Sequence, residues 1–308
     1  MSVVALAAEE SDLMPDELVP QTGEDGGGSR SDSIPARATF ALGVIYLLLL
    51  LLASRHPMPG GAWGTVLQVA LFVYFPVAII YQGVRIPTSV GGEVVAGLIA
   101  LGAWLALVGI ETLGDAALVV PARSVALLAA CLFFGMLLSR ILRERNILLP
   151  ALIVAAAVDV ISVGWGFTGH AVQNVPDLVA KLSVAVPRVA PPVAPGEAPH
   201  FALLATMGVG DFFFLAFFFG AAARFGLPLR RTFWFVYPLV LLAMVLTVTG
   251  VLPWGGVPGL PFIALGFLAA NFREFSLSPR EKRDLAVVGV ILTAFVAAMF
   301  VLKAYVSG

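Results

Sequence analysis

The stretch TMGVGDFFFLA, residues 206–216, places one acidic side chain inside a run that otherwise suits a lipid environment. Asp211 is the only charged residue in the surrounding apolar run, 201–223, and it follows Gly208 and Gly210 closely. A helix needs about 20 consecutive apolar residues to cross a bilayer. The run is long enough, so it predicts a transmembrane helix that carries a carboxylate.

Apolar runs of similar length recur along the chain. Of its 308 residues, 60% are hydrophobic and 12% are charged, which is about half the ~25% charged share of soluble domains. The runs are apolar all round instead of amphipathic, which argues against a large soluble core. We therefore predict an all-α polytopic membrane protein with about nine transmembrane helices. The predicted spans are 38–54, 63–84, 91–112, 122–142, 147–166, 199–223, 232–251, 257–273 and 284–303.

Charge and cysteine content define the remaining organisation. Residues 1–37 are rich in Asp, Glu and Gly and poor in apolar side chains, which predicts a disordered acidic tail. Cys131 is the single cysteine, so an intrachain disulfide is impossible and a zinc cluster is not expected. No basic and aromatic pattern indicates nucleic-acid binding. After the tail we predict a four-helix part at 38–142, a second transmembrane part at 147–273 and a last helix at 284–308.

The basic residues predict an orientation. Cytoplasmic loops of membrane proteins carry an excess of Lys and Arg. Thirteen of the 18 basic residues fall in the tail and in alternate connections between predicted spans. We therefore expect a cytoplasmic N-terminus, an external C-terminus and an external connection at 167–198, partly ordered against the membrane.

Two acids lie well inside apolar spans, Asp159 in AAAVDVISV and Asp211. A charge at the centre of a span costs roughly 2.5–3.5 kcal/mol on insertion scales, so such a residue indicates a functional site. Neither span contains Lys or Arg, and the cheapest partner for each acid is the other acid, with one shared proton. The two spans are consecutive and antiparallel, so we expect them to pack side by side, with the pair in the outer half of the membrane.

The glycines before Asp211 have three interpretations. Gly208 and Gly210 place no side chain beside the acid, which lets another backbone approach closely. They also permit the helix to loosen, or they form an ordinary helix-packing face. Packing is the commonest use of such glycines.

These residues resemble a known family. Gly208-Val209-Gly210-Asp211 is similar to the GxGD signature of intramembrane aspartyl proteases, the presenilin and signal peptide peptidase group. Asp159 occupies the place of the first catalytic aspartate, in the preceding span. HFALLATMGVGD, residues 200–211, resembles the opening of the second catalytic helix in signal peptide peptidases. Pro258-Gly259-Leu260-Pro261 resembles the proline-alanine-leucine motif.

The resemblance implies a presenilin-like bundle, a prokaryotic homologue in the plasma membrane, and a protease that needs neither metal nor organic cofactor. Its catalytic residues are Asp159 and Asp211. Its substrates are transmembrane segments with a cytoplasmic N-terminus, such as signal peptides or type II anchors, and its oligomeric state stays open. The residues that the resemblance places at the substrate site are Gly208, Val209, Gly210, Pro258, Gly259, Leu260 and Pro261.

Three departures from the family keep alternatives open. Val158 stands where relatives have Tyr or Phe, Gly259 replaces the motif's alanine, and only four predicted spans precede the Asp159 span. A catalytically inactive relative is one alternative. The other is a proton- or cation-coupled transporter, which also uses intramembrane acids and broken helices. A transporter predicts an internal repeat, and none is evident.

Overall fold

Long apolar helices dominate the structure, a computed structural model that describes residues 28–55, 61–110, 116–165, 174–187, 203–250 and 257–307. The helices are α1 (Gly28–Arg55), α2 (Ala62–Gly83), α3 (Val90–Ile110), α4 (Ala116–Ser139), α5 (Leu148–Gly164), α6 (Pro176–Lys181), α7 (Val209–Arg224), α8 (Leu229–Thr249), α9 (Leu260–Asn271) and α10 (Pro279–Ser307). Strands β1 (Ser183–Pro187) and β2 (Leu203–Gly208) form one antiparallel pair.

Seven helices in this part of the chain are long and apolar enough to cross a membrane, namely α1 to α5, α8 and α10. They confirm an α-helical polytopic membrane protein. The two remaining predicted spans contain shorter helices. Helix α7 has 16 residues and α9 has 12, so they extend about 24 and 18 Å at ~1.5 Å per residue. The hydrocarbon core is about 30 Å thick, so both fall short of it.

The predicted span at 199–223 is wrong in its first part. Residues 203–208 form β2, and α7 begins only at Val209. Gly208 is extended, with φ −65° and ψ 151°, and it pairs with Ser183 of β1. An apolar run of this length does not distinguish helix from strand, and the backbone partner in β1 decides between them. Residues 199–202 lie outside the described part of the chain.

The segment formed by α6 and β1 is held by side chains of three membrane helices. Trp104 donates its indole N–H to the carbonyl of Lys181 over 3.2 Å, and the Gln68 amide donates to the carbonyl of Pro187. Arg123 donates to the carbonyl of Ala180 over 3.1 Å. Because these contacts come from α2, α3 and α4, the helix bundle fixes the segment that leads into α7.

One further boundary differs from the sequence prediction, and the partial order expected at 167–198 is present. Helix α1 begins at Gly28, ten residues before the predicted span, so the last part of the predicted tail is helical. Residues 1–27 lie outside the described chain. The predicted external connection at 167–198 is ordered in part, because it contains α6 and β1.

Helix α7 forms the centre of the bundle. Phe212, Phe218 and Phe219 are at most 1% exposed, so these rings pack against neighbouring helices instead of lipid. Gly135 of α4 permits the closest approach, since a Cβ there would lie 2.6 Å from the Cβ of Ala216. Helix α7 is therefore held rigidly, and its first turn is a fixed position.

Polar contacts gather the arginine-bearing connections at one end of the bundle. The helix ends that meet there are the C-terminal ends of α2, α4, α7 and α9 and the N-terminal ends of α3, α5, α8 and α10. These connections therefore lie together at one end of the bundle. The contacts join Arg140 to Glu93, Arg231 to Glu274, Arg224 to Ser139 and Asn146 to Ser276.

Candidate active site

Asp211 lies in the first turn of α7 and not in the middle of a helix. With Gly208 as the N-cap, Asp211 is the third residue of the helix, and its carboxyl group interacts with the Gly208 backbone. An acid at this position can satisfy free N–H groups, and the positive end of the helix dipole stabilises its charge. The carboxylate is therefore placed by a helix start that the sequence alone did not reveal.

Asp159 lies in the continuous helix α5 and contacts the start of α9. Its Oδ2 accepts a hydrogen bond from the Leu260 backbone N–H over 2.9 Å, and the Gly259 backbone also interacts with the carboxyl group. The first N–H groups of a helix have no partner within the helix. Asp159 thus caps α9 from a different helix, which fixes the orientation of its carboxylate.

The segment Pro258–Pro261 brings the two acids together. A Cβ added at Gly259 would lie 2.5 Å from Oδ1 of Asp211, so the Asp211 carboxyl group rests against this glycine. The next residue, Leu260, binds Asp159. The two carboxyl groups are close enough to interact electrostatically. Each acid therefore contacts the same two-residue backbone segment.

This arrangement corrects the expected packing of the two acid-bearing helices. Helix α5 packs against α9 and α10, while α7 packs chiefly against α4. The acids meet because the start of α9 lies between them, and not because α5 and α7 pack side by side. Pro258 and Leu260 are buried, and Pro261 is half-buried.

Both acids lie at a similar distance from the arginine-bearing end of the bundle. Asp159 lies about 17 Å along α5 from Leu148, and Asp211 lies about 20 Å along α7 from Arg224, at ~1.5 Å per residue. Both reference ends belong to the arginine-bearing side, because Arg224 reaches the Leu142 carbonyl over 3.5 Å. The two depths agree within one helical turn and fall inside a hydrocarbon core of ~30 Å.

The structure separates the interpretations of Gly208 and Gly210. No described atom lies within 4 Å of a Cβ built at Gly210, and at Gly208 the nearest is Oδ2 of Asp211 at 3.7 Å. Neither glycine is therefore needed for helix packing within the described chain. Both leave space beside the Asp211 carboxylate, and Gly210 is exposed.

Val209, the remaining residue of the GxGD stretch, is held by hydrogen bonds to its backbone N–H and carbonyl groups. The N–H of Val209 donates to the carbonyl of Leu182 over 3.0 Å, and the Cys131 thiol donates to the Val209 carbonyl over 3.6 Å. These contacts tie the first turn of α7 to the hairpin and to α4. Val158, the residue before Asp159, is 58% exposed, so a larger side chain has room there.

An apolar cavity of about 410 Å³ lies between α5, α9 and α10. Val160, the neighbour of Asp159, and Pro261 both line it. The described residues contain no group of three His, Cys, Asp or Glu side chains that could hold a metal ion. The residues that line the cavity are almost all apolar, so the cavity suits apolar side chains.

Comparisons with known proteins add no assignment. The chain matches no family model, no curated protein and no solved structure. The interpretation of the site rests on its own geometry.

Sequence reasoning missed the side chains that hold the hairpin, Gln68, Trp104 and Arg123. Gln68 and Arg123 carried a signal, because polar groups inside apolar spans are costly and need partners. Both lie in predicted spans, and both are at most 4% exposed. Their partners are backbone carbonyls of α6 and β1, and no hydropathy pattern identifies such a pairing.

Proposed function

We propose that the chain is a GxGD-type intramembrane aspartyl protease that hydrolyses peptide bonds within transmembrane segments. The observation that supports it best is that Asp159 and Asp211 meet at Gly259–Leu260. Three motifs far apart in sequence thus contribute to one site at membrane depth. On this proposal α7 and α9 are the shortened catalytic segments of a nine-segment, presenilin-like bundle.

In this mechanism the two carboxyl groups share one proton. The ionised member accepts a proton from a water molecule as the water oxygen bonds to the carbonyl carbon, while the protonated member donates to the carbonyl oxygen. The C–N bond of the resulting tetrahedral intermediate then breaks as the leaving amine takes a proton from the pair, and one hydroxyl of the intermediate returns a proton to the pair as the carboxyl product forms. Because the two groups titrate together, the acid and base roles belong to the pair. No metal or organic cofactor takes part.

The open space beside Asp211 accommodates the substrate backbone. A helical substrate hides its carbonyls in its own hydrogen bonds, so it must unwind before cleavage. The β1–β2 hairpin ends at Gly208, three residues before Asp211, and a substrate strand added to a free edge of the hairpin would lead towards the acids. Gly208, Val209 and Gly210 would then line one side of the chain, with Pro258–Pro261 opposite and the apolar cavity receiving side chains.

The deciding experiment is a cleavage assay of the purified protein in liposomes with a signal-peptide substrate. Asp159→Asn and Asp211→Asn should each abolish cleavage, and a transition-state-mimicking aspartyl protease inhibitor should block the wild type. We expect a bell-shaped pH profile, because activity needs one proton on the pair. Activity is lost at low pH when the pair gains a second proton and at high pH when it loses the first.

Other outcomes would support other functions. Full activity in either Asn variant would contradict the dyad. A wild type that cleaves nothing but carries an acid-dependent flux would favour the transporter. A protein inert in both assays, yet able to bind transmembrane peptides, would favour a catalytically inactive relative.

We further propose that the protein lies in a prokaryotic plasma membrane with its arginine-bearing side in the cytoplasm. Its substrates would then have a cytoplasmic N-terminus. Cysteine labelling of intact cells tests this orientation, since the native Cys131 is buried and should not react. Asp177 in α6 and Arg143 are both exposed on the protein surface, so labelling depends on the side of the membrane. An impermeant reagent should label Asp177→Cys and should leave Arg143→Cys unlabelled. The reverse pattern, or cleavage only of substrates with an external N-terminus, would contradict it.

A further inference from the structure

A second cavity, of about 370 Å³, opens at the arginine-bearing end of the bundle, far from the two acids. Its volume falls within the range of small-molecule sites, about 300–1,000 Å³. Arg85, Arg140 and Arg224 line it, and Glu93 is the only carboxylate among the lining residues. The cavity therefore carries a formal excess of positive charge.

Glu93 is fully engaged by one of these arginines. It is 2% exposed, and its two oxygens accept hydrogen bonds from Nε and Nη2 of Arg140, each over 2.7 Å. The Thr88 hydroxyl donates to the same carboxylate over 2.8 Å. This paired arrangement neutralises Arg140 and leaves Arg85 and Arg224 as the charge excess.

Arg85 and Arg224 have no carboxylate partner in the described chain. Arg85 donates to the amide oxygen of Gln82 over 3.0 Å, while Arg224 donates to the backbone carbonyls of Ser139 and Leu142. Each guanidinium also lies over an aromatic ring, Arg85 at 5.5 Å from the centre of Tyr81 and Arg224 at 5.7 Å from that of Phe225. Neutral contacts thus position both cations and leave their charge available.

Helix ends of both polarities border the cavity. The N-termini of α3 and α8 lie near Thr88 and at Leu229, and the C-termini of α2, α4 and α7 also reach the lining. Helix N-termini carry a partial positive charge and C-termini a partial negative charge, so the positive charge of the cavity comes from its arginine side chains.

We propose that this cavity binds a phosphate group, from an anionic phospholipid or from free phosphate. The planar guanidinium group matches phosphate oxygens in pairs. Basic pockets between transmembrane helices bind lipid headgroups at the membrane surface. The proposal is independent of the protease assignment, since it involves neither acid of the candidate active site.

The test measures the affinity of the full-length protein in neutral detergent for three probes. These are phosphatidylglycerol, phosphatidylcholine and inorganic phosphate, with binding followed by ligand-dependent thermal stability and by lipid retained in native mass spectrometry. Phosphatidylglycerol or inorganic phosphate should bind more tightly than phosphatidylcholine. Arg85→Gln or Arg224→Gln should weaken binding about five-fold, and the double variant about 30-fold.

Arg273→Gln is the matched control, because Arg273 is exposed and lies over the ring of Phe272 at 5.4 Å but does not line the cavity. It should leave binding unchanged. Tight phosphatidylglycerol binding without inorganic phosphate binding would identify a lipid headgroup, and competition by inorganic phosphate would identify a soluble source. Wild-type affinity in the double variant, or an equal loss in Arg273→Gln, would overturn the proposal. Arg85→Gln alone provides the same test if the double variant is unstable, since Arg85 is exposed.

Discussion

Gly259→Ala should impair the candidate active site with little effect on folding. Gly259 has φ −81° and ψ −36°, a conformation that alanine adopts without strain, so only the added methyl group matters. That methyl group would lie 2.5 Å from Oδ1, 3.0 Å from Cγ and 3.3 Å from Oδ2 of Asp211. An ordinary contact requires the carboxylate to move by about 0.5–0.9 Å. We therefore expect alanine at position 259 to displace the Asp211 carboxylate.

A displacement of this size is large for catalysis and small for stability. Misplacing a reacting group by about 1 Å can cost about 100-fold in rate. The carboxylate is the end of a side chain and can rotate away, so overpacking should cost only about 1 kcal/mol, or about 2–4 °C in Tm. We expect cleavage in liposomes to fall about 100-fold while Tm stays within a few degrees of the wild type.

Two glycine variants provide controls. Gly135→Ala places its methyl group 2.6 Å from the Cβ of Ala216 and 2.7 Å from the Phe213 carbonyl oxygen, so it should lower Tm by more than Gly259→Ala does. Gly289→Ala meets no described atom within 4 Å and should change neither quantity greatly. Full activity in Gly259→Ala, or an activity loss that merely follows its loss of Tm, would refute the reasoning.

The remaining predictions concern polar groups with defined partners. Asp159→Asn keeps an acceptor for the Leu260 N–H, whereas Asp159→Ala does not. The Ala variant should therefore be less stable than the Asn variant by about 1 kcal/mol in thermal unfolding. Equal stability of the two variants would contradict the capping role. Arg140→Met should lower Tm more than Glu93→Gln does. The Met variant leaves the Glu93 carboxylate, which is 2% exposed, without its cation at a cost of about 3–5 kcal/mol, whereas in the Gln variant Arg140 is 32% exposed and regains water. The opposite order of Tm values would refute this. Gln68→Leu removes a buried donor to the hairpin and should raise hydrogen exchange in β1, and unchanged exchange would contradict its positioning role.

Much of the architecture followed from the sequence because the cost of lipid exposure can be counted residue by residue. Seven of the nine predicted spans are helices of membrane length. The orientation that the arginine count predicts stays a prediction. Asp159 and Asp211 stood out for the same reason, since a charge in an apolar run is costly wherever the chain folds. Catalysis by these acids stays a prediction until cleavage is measured.

Tertiary structure decided how the site is built. Residues 203–208 are as apolar as a helix, and they form a strand because β1 supplies their backbone partners. That pairing delays α7 until Val209 and turns Asp211 from a mid-helix charge into a first-turn residue. Asp159 similarly meets the first N–H of α9 from a helix about 100 residues earlier in the chain. Composition and periodicity indicate whether a segment is exposed to lipid or to water. The contacts at the site depend instead on which backbone groups lack partners after the helices pack, and only the folded chain determines that.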